Sequence, residues 1–94
     1  MKLFLVSYDL DSPGQDYGPL TKELGRLGKR ITLSDWVVEV ATRSAAQLRD
    51  VLRTYIDAND RLAVIELPVG LQWATYNGLV GGVGLLRRHR PFYS

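Results

Sequence analysis

The fold of this 94-residue chain is decided by its opening stretch, residues 2–10, which reads KLFLVSYDL. Six of these nine side chains are apolar, and Phe4, Val6 and Tyr8 are among them. An apolar run that is rich in β-branched and aromatic residues predicts a strand buried on both faces. We therefore expect this strand in the middle of a sheet. It ends in a carboxylate, Asp9, and the mouth of a central strand is where many α/β folds place their chemistry.

The composition indicates one small globular domain. Hydrophobic residues make up 46% of the chain, which argues against a disordered protein. Cysteine is absent, so disulfides, zinc–thiolate sites and a thiol nucleophile are all excluded. The start of the chain lacks the apolar core of a signal peptide, and no run approaches the ~20 apolar residues that span a bilayer. We expect a soluble, cytoplasmic protein with no membrane partner.

The positive charge of the chain is concentrated near its end. The net charge is +2, from twelve Lys and Arg against ten acids. Arg87, Arg88 and Arg90 surround the single histidine, His89, and without these three arginines the remainder has nine bases against ten acids, a net charge of −1. Guanidinium groups bind phosphates, so the three arginines are the candidate nucleic-acid contacts. The alternative interpretation is a frayed tail that only aids solubility.

The first helix is predicted to begin at the cap residue Asp16 and to end at Gly28. Its apolar stripe consists of Leu20, Leu24 and Leu27. We interpret Gly25 as allowing a close approach to the sheet. Strands are predicted at residues 30–33 and 36–41, and the Ser34-Asp35 pair between them fits either a tight turn or a bulge.

A second helix is predicted from the capping box that Ser44 forms with Gln47. The apolar face of this helix consists of Ala45, Leu48, Leu52, Tyr55 and Ile56. A strand at residues 61–67 follows and is stopped by Pro68. The resulting order, βαββαβ, predicts an α+β protein with a ferredoxin-like core over residues 1–68, in which the first and third strands are neighbours at the centre.

Residues 69–94 form a C-terminal extension that we expect to complete the sheet or a dimer interface. Residues 71–76 fit either a further strand or a short helix. Residues 79–86 are apolar and glycine-rich, but they lack the Lys-Ser/Thr ending of a phosphate-binding loop. We interpret them as a flexible or partner-contacting segment, because an apolar stretch is poorly suited to exposure in water.

Several segments resemble the SinR-like, or Cas-two-like, small proteins of bacteria and their phages. These proteins are relatives of the smaller CRISPR spacer-acquisition protein and, more distantly, of VapD-type toxins. The resemblance spans roughly residues 2–76 and rests on residues 7–10 (SYDL), 13–17 (PGQDY), 34–37 (SDWV), 47–52 (QLRDVL) and 57–60 (DAND). It implies a ferredoxin-like fold and a homodimer in which the two Asp9 carboxylates face each other across the subunit boundary.

The same resemblance implies a role for Asp9, since the corresponding aspartate is the divalent-metal ligand of a nuclease in the CRISPR relatives. Many members of that group instead act as structural bridges. A hard cation such as Mg²⁺ or Mn²⁺ takes one or two carboxylates plus substrate phosphates, and it can ionise the water that attacks a phosphodiester. Asp9 is thus the candidate catalytic and metal-binding residue, and the alternative is a carboxylate that is solvated at the strand end or that caps the following loop or the first helix.

Other polar and aromatic residues have simpler interpretations. Ser7 lies on the same strand face as Asp9 and could hydrogen-bond either that carboxylate or the backbone. Ser34 and Asp35 are expected at the opposite end of the sheet from Asp9, if the first and third strands run parallel. Four aromatic residues could stack bases but are interpreted as core or dimer contacts: Tyr8, Trp36, Trp73 and Tyr76.

Two functions remain open from the sequence. The first is a non-catalytic homodimer that docks a protein or a nucleic acid, which the near-neutral body of the chain favours, because phosphate binding usually leaves a basic footprint. The second is a metal-dependent endonuclease, acting on RNA or DNA, that uses paired Asp9 carboxylates. The resemblance to the Cas-two-like proteins implies a CRISPR-associated or phage-defence role for either function.

Overall fold

A computed structural model describes residues 1–10 and 17–91 of the chain. Its elements are β1 (Lys2–Asp9), α1 (Gly18–Leu27), β2 (Gly28–Thr32), β3 (Asp35–Val40), α2 (Ala45–Leu52), β4 (Arg61–Glu66) and α3 (Val80–His89). The strands form one sheet in the order β2-β3-β1-β4, and every neighbouring pair is antiparallel. The predicted βαββαβ order is confirmed, and the topology is compatible with a ferredoxin-like fold followed by a third helix.

The central strand β1 is buried on both faces, as its sequence predicts. Phe4 and Val6 point to one face, where they join the core formed with α1 and α2. Leu3 points to the opposite face and joins Ile31, Val37 and Leu86. We call these the inner face and the outer face of the sheet. Because successive side chains of a strand alternate, one apolar strand supports both cores.

Helix α1 packs on the inner face through Leu20 and Leu24, which are fully buried. The predicted cap residue, Asp16, lies outside the described residues. The interpretation of Gly25 is wrong, because a Cβ at this position would have nothing within 4 Å. The close approach occurs instead at Gly28, where a Cβ would collide with the backbone carbonyl of Val37 on β3.

The connection between β2 and β3 combines both alternatives that the sequence left open. Leu33 and Ser34 form a turn, and the pairing register shifts between Arg30 and Thr32, which is a bulge-like irregularity. The expected position of Ser34 and Asp35 is wrong. Since β1 and β3 run antiparallel, Asp35 lies opposite Ser7, at the end of the sheet that carries Asp9.

Helix α2 begins with the predicted capping box. The Ser44 hydroxyl accepts a hydrogen bond from the Gln47 N–H at 3.1 Å, and the Gln47 side chain accepts one from the Ser44 N–H at 2.8 Å. Leu48 and Leu52 are fully buried on the inner face, which confirms the predicted apolar face. A 3-10 turn, Arg53–Tyr55, continues the chain towards β4.

The C-terminal extension packs against its own chain on the outer face. Residues 79–86 are not a flexible segment, because most of them belong to α3, which lies on β2. Gly82 faces Ile31 so closely that a Cβ would lie 2.5 Å from the Ile31 Cβ. Residues 71–76 form neither a regular strand nor a helix. Within the described ranges, no helix has the length and apolar character needed to cross a membrane.

Candidate functional site

Asp9 lies at the exposed end of β1, directly opposite Arg61 on β4. One carboxylate oxygen, Oδ2, is 3.1 Å from Nη1 of Arg61. The two side chains are 66% and 79% exposed, so the ion pair is solvated and contributes little to stability. The carboxylate is accessible to a ligand, but it already has a cationic neighbour.

The surroundings of Asp9 form a shallow cavity of about 180 Å³ between β1 and β4. Ser7 lines the cavity on the same face of β1, but no hydrogen bond joins its hydroxyl to the Asp9 carboxylate. Asp35 lies at this end of the sheet as well, where its carboxylate accepts a hydrogen bond from the Thr32 hydroxyl at 2.5 Å. The antiparallel strands therefore bring Asp9, Ser7 and Asp35 to one end without joining their side chains.

The described residues of one chain give Asp9 an incomplete set of metal ligands. Among residues 1–10 and 17–91, no group of three or more His, Asp or Glu side chains is arranged to hold a metal ion. Mg²⁺ and Mn²⁺ prefer oxygen ligands. One chain supplies only one of the two Asp9 carboxylates of the predicted dimer, and that carboxylate lies beside a guanidinium. The remaining ligands would have to come from the Asp9 of a second copy, from water and from substrate phosphates.

The three candidate phosphate-binding arginines have different environments. Arg87 and Arg88 are exposed in the last turn of α3, where cations interact favourably with the helix dipole. Arg90 is only 7% exposed. Its guanidinium donates hydrogen bonds to the carbonyl oxygens of Leu67 at 2.8 Å and His89 at 2.7 Å. The interpretation of these arginines as part of a frayed tail is therefore wrong for the described chain, which ends at Pro91. Arg90 has a structural role.

His89 is also held in the fold. Its Nε2 atom lies 2.8 Å from Oε1 of Glu39 on β3, and both side chains are mostly covered. The contact places the last turn of α3 against the sheet. Neither His89 nor Arg90 could have been assigned this way from the sequence, because their partners lie 50 and 23 positions away.

The aromatic residues are mostly structural, as the sequence analysis favoured. Trp36 is 8% exposed and donates a hydrogen bond to the Tyr8 hydroxyl, while the Arg30 guanidinium lies 4.8 Å from the centre of its ring. Trp73 donates a hydrogen bond to the Arg90 carbonyl at 2.6 Å. Tyr76 differs, because it is 92% exposed on the extension and could stack against a base.

Two grooves and one larger cavity were missed by the sequence analysis. The cavity measures about 450 Å³ and is lined by Arg49, Arg53, Ile56, Asp57, Ala58, Asp60 and Leu62. The grooves lie at the opposite end of the sheet and contain Arg26, Lys29 and Arg43. No local motif marks the grooves, since helix and strand contacts bring Arg43 to Arg26 and Lys29 from a separate part of the chain.

No known protein-family model matches the chain. A similar fold occurs in the crystal structure of a hypothetical protein, TT1823, from Thermus thermophilus. The two structures align with a TM-score of 0.62 at 23% sequence identity, over 85% of this chain and 96% of that chain. Likeness at this level of identity concerns the fold alone. It supports a small α+β architecture with a four-stranded antiparallel sheet.

Proposed function

We propose that the chain is a Cas-two-like, homodimeric module of bacterial or phage origin that associates with nucleic acid without cutting it. The observation that carries the non-catalytic part is the contact between Asp9 and Arg61. A metal that activates water needs carboxylate oxygens directed at it. In this chain the guanidinium of Arg61 lies 3.1 Å from one of them and offsets the negative charge that would attract a cation.

The association with nucleic acid is supported by Arg87 and Arg88. Both side chains are exposed on the last turn of a helix that is fixed to the sheet. Cations on a rigid element lose less conformational freedom on binding than cations on a disordered tail, so each contact contributes more net affinity.

The homodimer is supported by the part of the outer face that α3 leaves uncovered. Ile65 lies opposite Leu5 on this face and is 52% exposed, and the neighbouring Ala63 is exposed as well. An apolar surface next to a solvated rim is typical of an interface between protein chains. Asp9 and Arg61 lie at the rim of this surface.

The second candidate function is a metal-dependent endonuclease. It is favoured by the position of Asp9 at the rim of the uncovered outer face. Asp9 is accessible and follows Leu5 and Ser7 on the outer face, so a second copy docked there would bring its own Asp9 towards the first. Two carboxylates and a substrate phosphate would then be available for Mg²⁺ or Mn²⁺, which supplies an activated water when bound.

One set of measurements separates the two functions. Labelled RNA and DNA are incubated with the protein and with Asp9→Asn in Mg²⁺, Mn²⁺ or EDTA, and the same samples are tested for binding by fluorescence anisotropy. We expect binding without cleavage and no effect of Asp9→Asn on either. Cleavage that requires the metal and is lost in Asp9→Asn would instead establish the endonuclease. Light scattering of Ile65→Asp beside the unchanged protein tests the dimer, and a monomeric unchanged protein would contradict it.

A further inference from the structure

We infer that the end of the molecule where β1 begins carries a groove for the sugar–phosphate backbone of a nucleic acid, formed by Arg26, Lys29 and Arg43. This inference rests on the proposed function and names its binding surface. We call the surface the basic groove. It is distinct from the end of the sheet that carries Asp9.

The basic groove consists of two adjoining depressions of about 220 and 250 Å³. Both are lined by Arg26, Leu27 and Glu39, so they are continuous with each other. One extends along the end of β3 to Arg43, and the other extends across β2 to Lys29 and α3. The result is an elongated surface with one cation at each end and one in the middle.

The charge of the basic groove is predominantly positive. Glu39 is the one acidic lining residue in the part of the chain that the structure describes, and His89 contacts that carboxylate at 2.8 Å. Arg26 uses Nε and Nη2 to bind Glu23, whose carboxylate offsets part of this charge, but the Arg26 side chain is 64% exposed. The hydrogen bond from Arg26, with the charges of Arg26 and Arg43, holds the pKa of Glu23 below its usual value.

The cavity of about 450 Å³ that contains Arg49 and Arg53 offers a useful contrast. Asp57 and Asp60 line it as well. Its formal side-chain charges therefore balance, and it has no net attraction for a polyanion. Size alone would favour this cavity as the binding site for a polyanion, whereas net charge favours the basic groove.

The shape and lining of the basic groove indicate a phosphodiester backbone as the ligand. Cations spaced along an elongated surface match an anion that repeats along a chain. Among the described residues, the lining contributes aliphatic side chains, Leu27, Val40, Ala41 and Leu85, and no aromatic ring on which a base could stack. Binding should therefore be independent of sequence. The contact of His89 with Glu39 brings the last turn of α3 to the same surface.

The test compares two matched double variants, Arg26→Glu/Arg43→Glu and Arg49→Glu/Arg53→Glu. Each pair combines one arginine in a surface ion pair with one that makes no ion pair to a described residue, and both change the net charge equally. Binding of short labelled single-stranded and duplex oligonucleotides is measured by anisotropy as a function of salt. Thermal unfolding of every variant confirms that it is folded, and Arg26→Gln/Arg43→Gln provides a milder change if the first pair is unstable.

We expect the groove variant to bind oligonucleotides at least about tenfold more weakly, while the control variant binds normally. The slope of the logarithm of the binding constant against the logarithm of the salt concentration should be smaller in magnitude by about 2 in the groove variant. Equal weakening of both double variants would overturn the groove and leave the proposed function standing. Failure of the unchanged protein to bind any oligonucleotide would overturn the proposed function itself. Displacement by polyglutamate as effective as that by unlabelled oligonucleotide would identify an acidic protein as the partner and overturn the nucleic-acid assignment.

Discussion

The two faces of the sheet are covered in different ways. On the inner face, α1 and α2 insert leucines, and Leu20, Leu24, Leu48 and Leu52 are all fully buried. On the outer face, α3 approaches β2 through Gly81 and Gly82, which lie against Lys29 and Ile31. The inner helices are thus separated from the sheet by side chains, whereas the outer helix lies on the backbone and side chains of one edge strand.

This difference predicts that the stability of the two faces responds in opposite ways to a change in side-chain size. A layer of interlocking side chains loses stability when a side chain is shortened, because a cavity is left behind. A helix placed on glycines loses stability when a side chain is added, because there is no space for it. The outer layer is also smaller and leaves Ile65 exposed, so it should contribute less to global stability.

The largest effect is expected from Phe4→Ala on the inner face. Phe4 is fully buried at the centre of the main core, and its loss should lower the free energy of unfolding by about 3–5 kcal/mol. Urea denaturation followed by circular dichroism measures this change. The control is Ile65→Ala, which should stay within about 0.5 kcal/mol of the unchanged protein in a monomeric sample. Similar losses in the two variants would remove the distinction between the faces.

A smaller effect is expected from adding a methyl group to the outer layer. Gly82→Ala places a Cβ 2.5 Å from the Ile31 Cβ and should destabilise the protein by about 1–3 kcal/mol as α3 shifts away from β2. Gly84 belongs to the same helix, and a Cβ there has nothing within 4 Å. Gly84→Ala should therefore raise stability, by about 0.5–1 kcal/mol. Thermal unfolding compares the two variants, and a shift of equal sign in both would contradict this packing.

The smallest effect is expected from the ion pair between Glu23 and Arg26 on α1. The pKa of Glu23 is lowered chiefly by the hydrogen bond from Arg26, so the folded state favours the ionised carboxylate. Its contribution is therefore present at neutral pH and is lost as the pH falls through the glutamate range. Glu23→Gln should be slightly less stable than the unchanged protein at neutral pH and equal to it in acid. The free energy of unfolding of both proteins is measured by urea denaturation. If it differs by the same amount across this pH range, ionisation of Glu23 is not the origin of the difference.

The sequence predicts those features whose causes are local. The apolar run of β1 is sufficient to place it in the centre, and the capping box of Ser44 fixes where α2 begins. The prediction of a flexible segment at residues 79–86 is wrong because Gly82 lies against Ile31, some fifty positions earlier in the chain, where a side chain has no space. A long-range contact leaves no periodic signal, so the same pattern fits a flexible segment and a tightly packed helix.

The same distinction between local causes and long-range contacts applies to the candidate site. Asp9 could be identified because it ends an apolar strand, but its partner Arg61 is 52 positions away and depends on the pairing of β1 with β4. The basic groove was missed for the same reason, because Arg43 joins Arg26 and Lys29 only when the elements assemble. Conversely, Arg90 matched Arg87 and Arg88 in the sequence, and burial alone separates it from them.

Arg90 also determines how the extension can open. Its guanidinium binds the carbonyl of Leu67, just before the extension begins, and its own carbonyl accepts a hydrogen bond from the Trp73 indole N–H. Hydrogen bonds thus close residues 67–90 into a ring, so α3 cannot unwind gradually from its C-terminal end without first breaking that closure. The amides of α3 should therefore exchange with solvent together, as one cooperative unit with a single opening free energy.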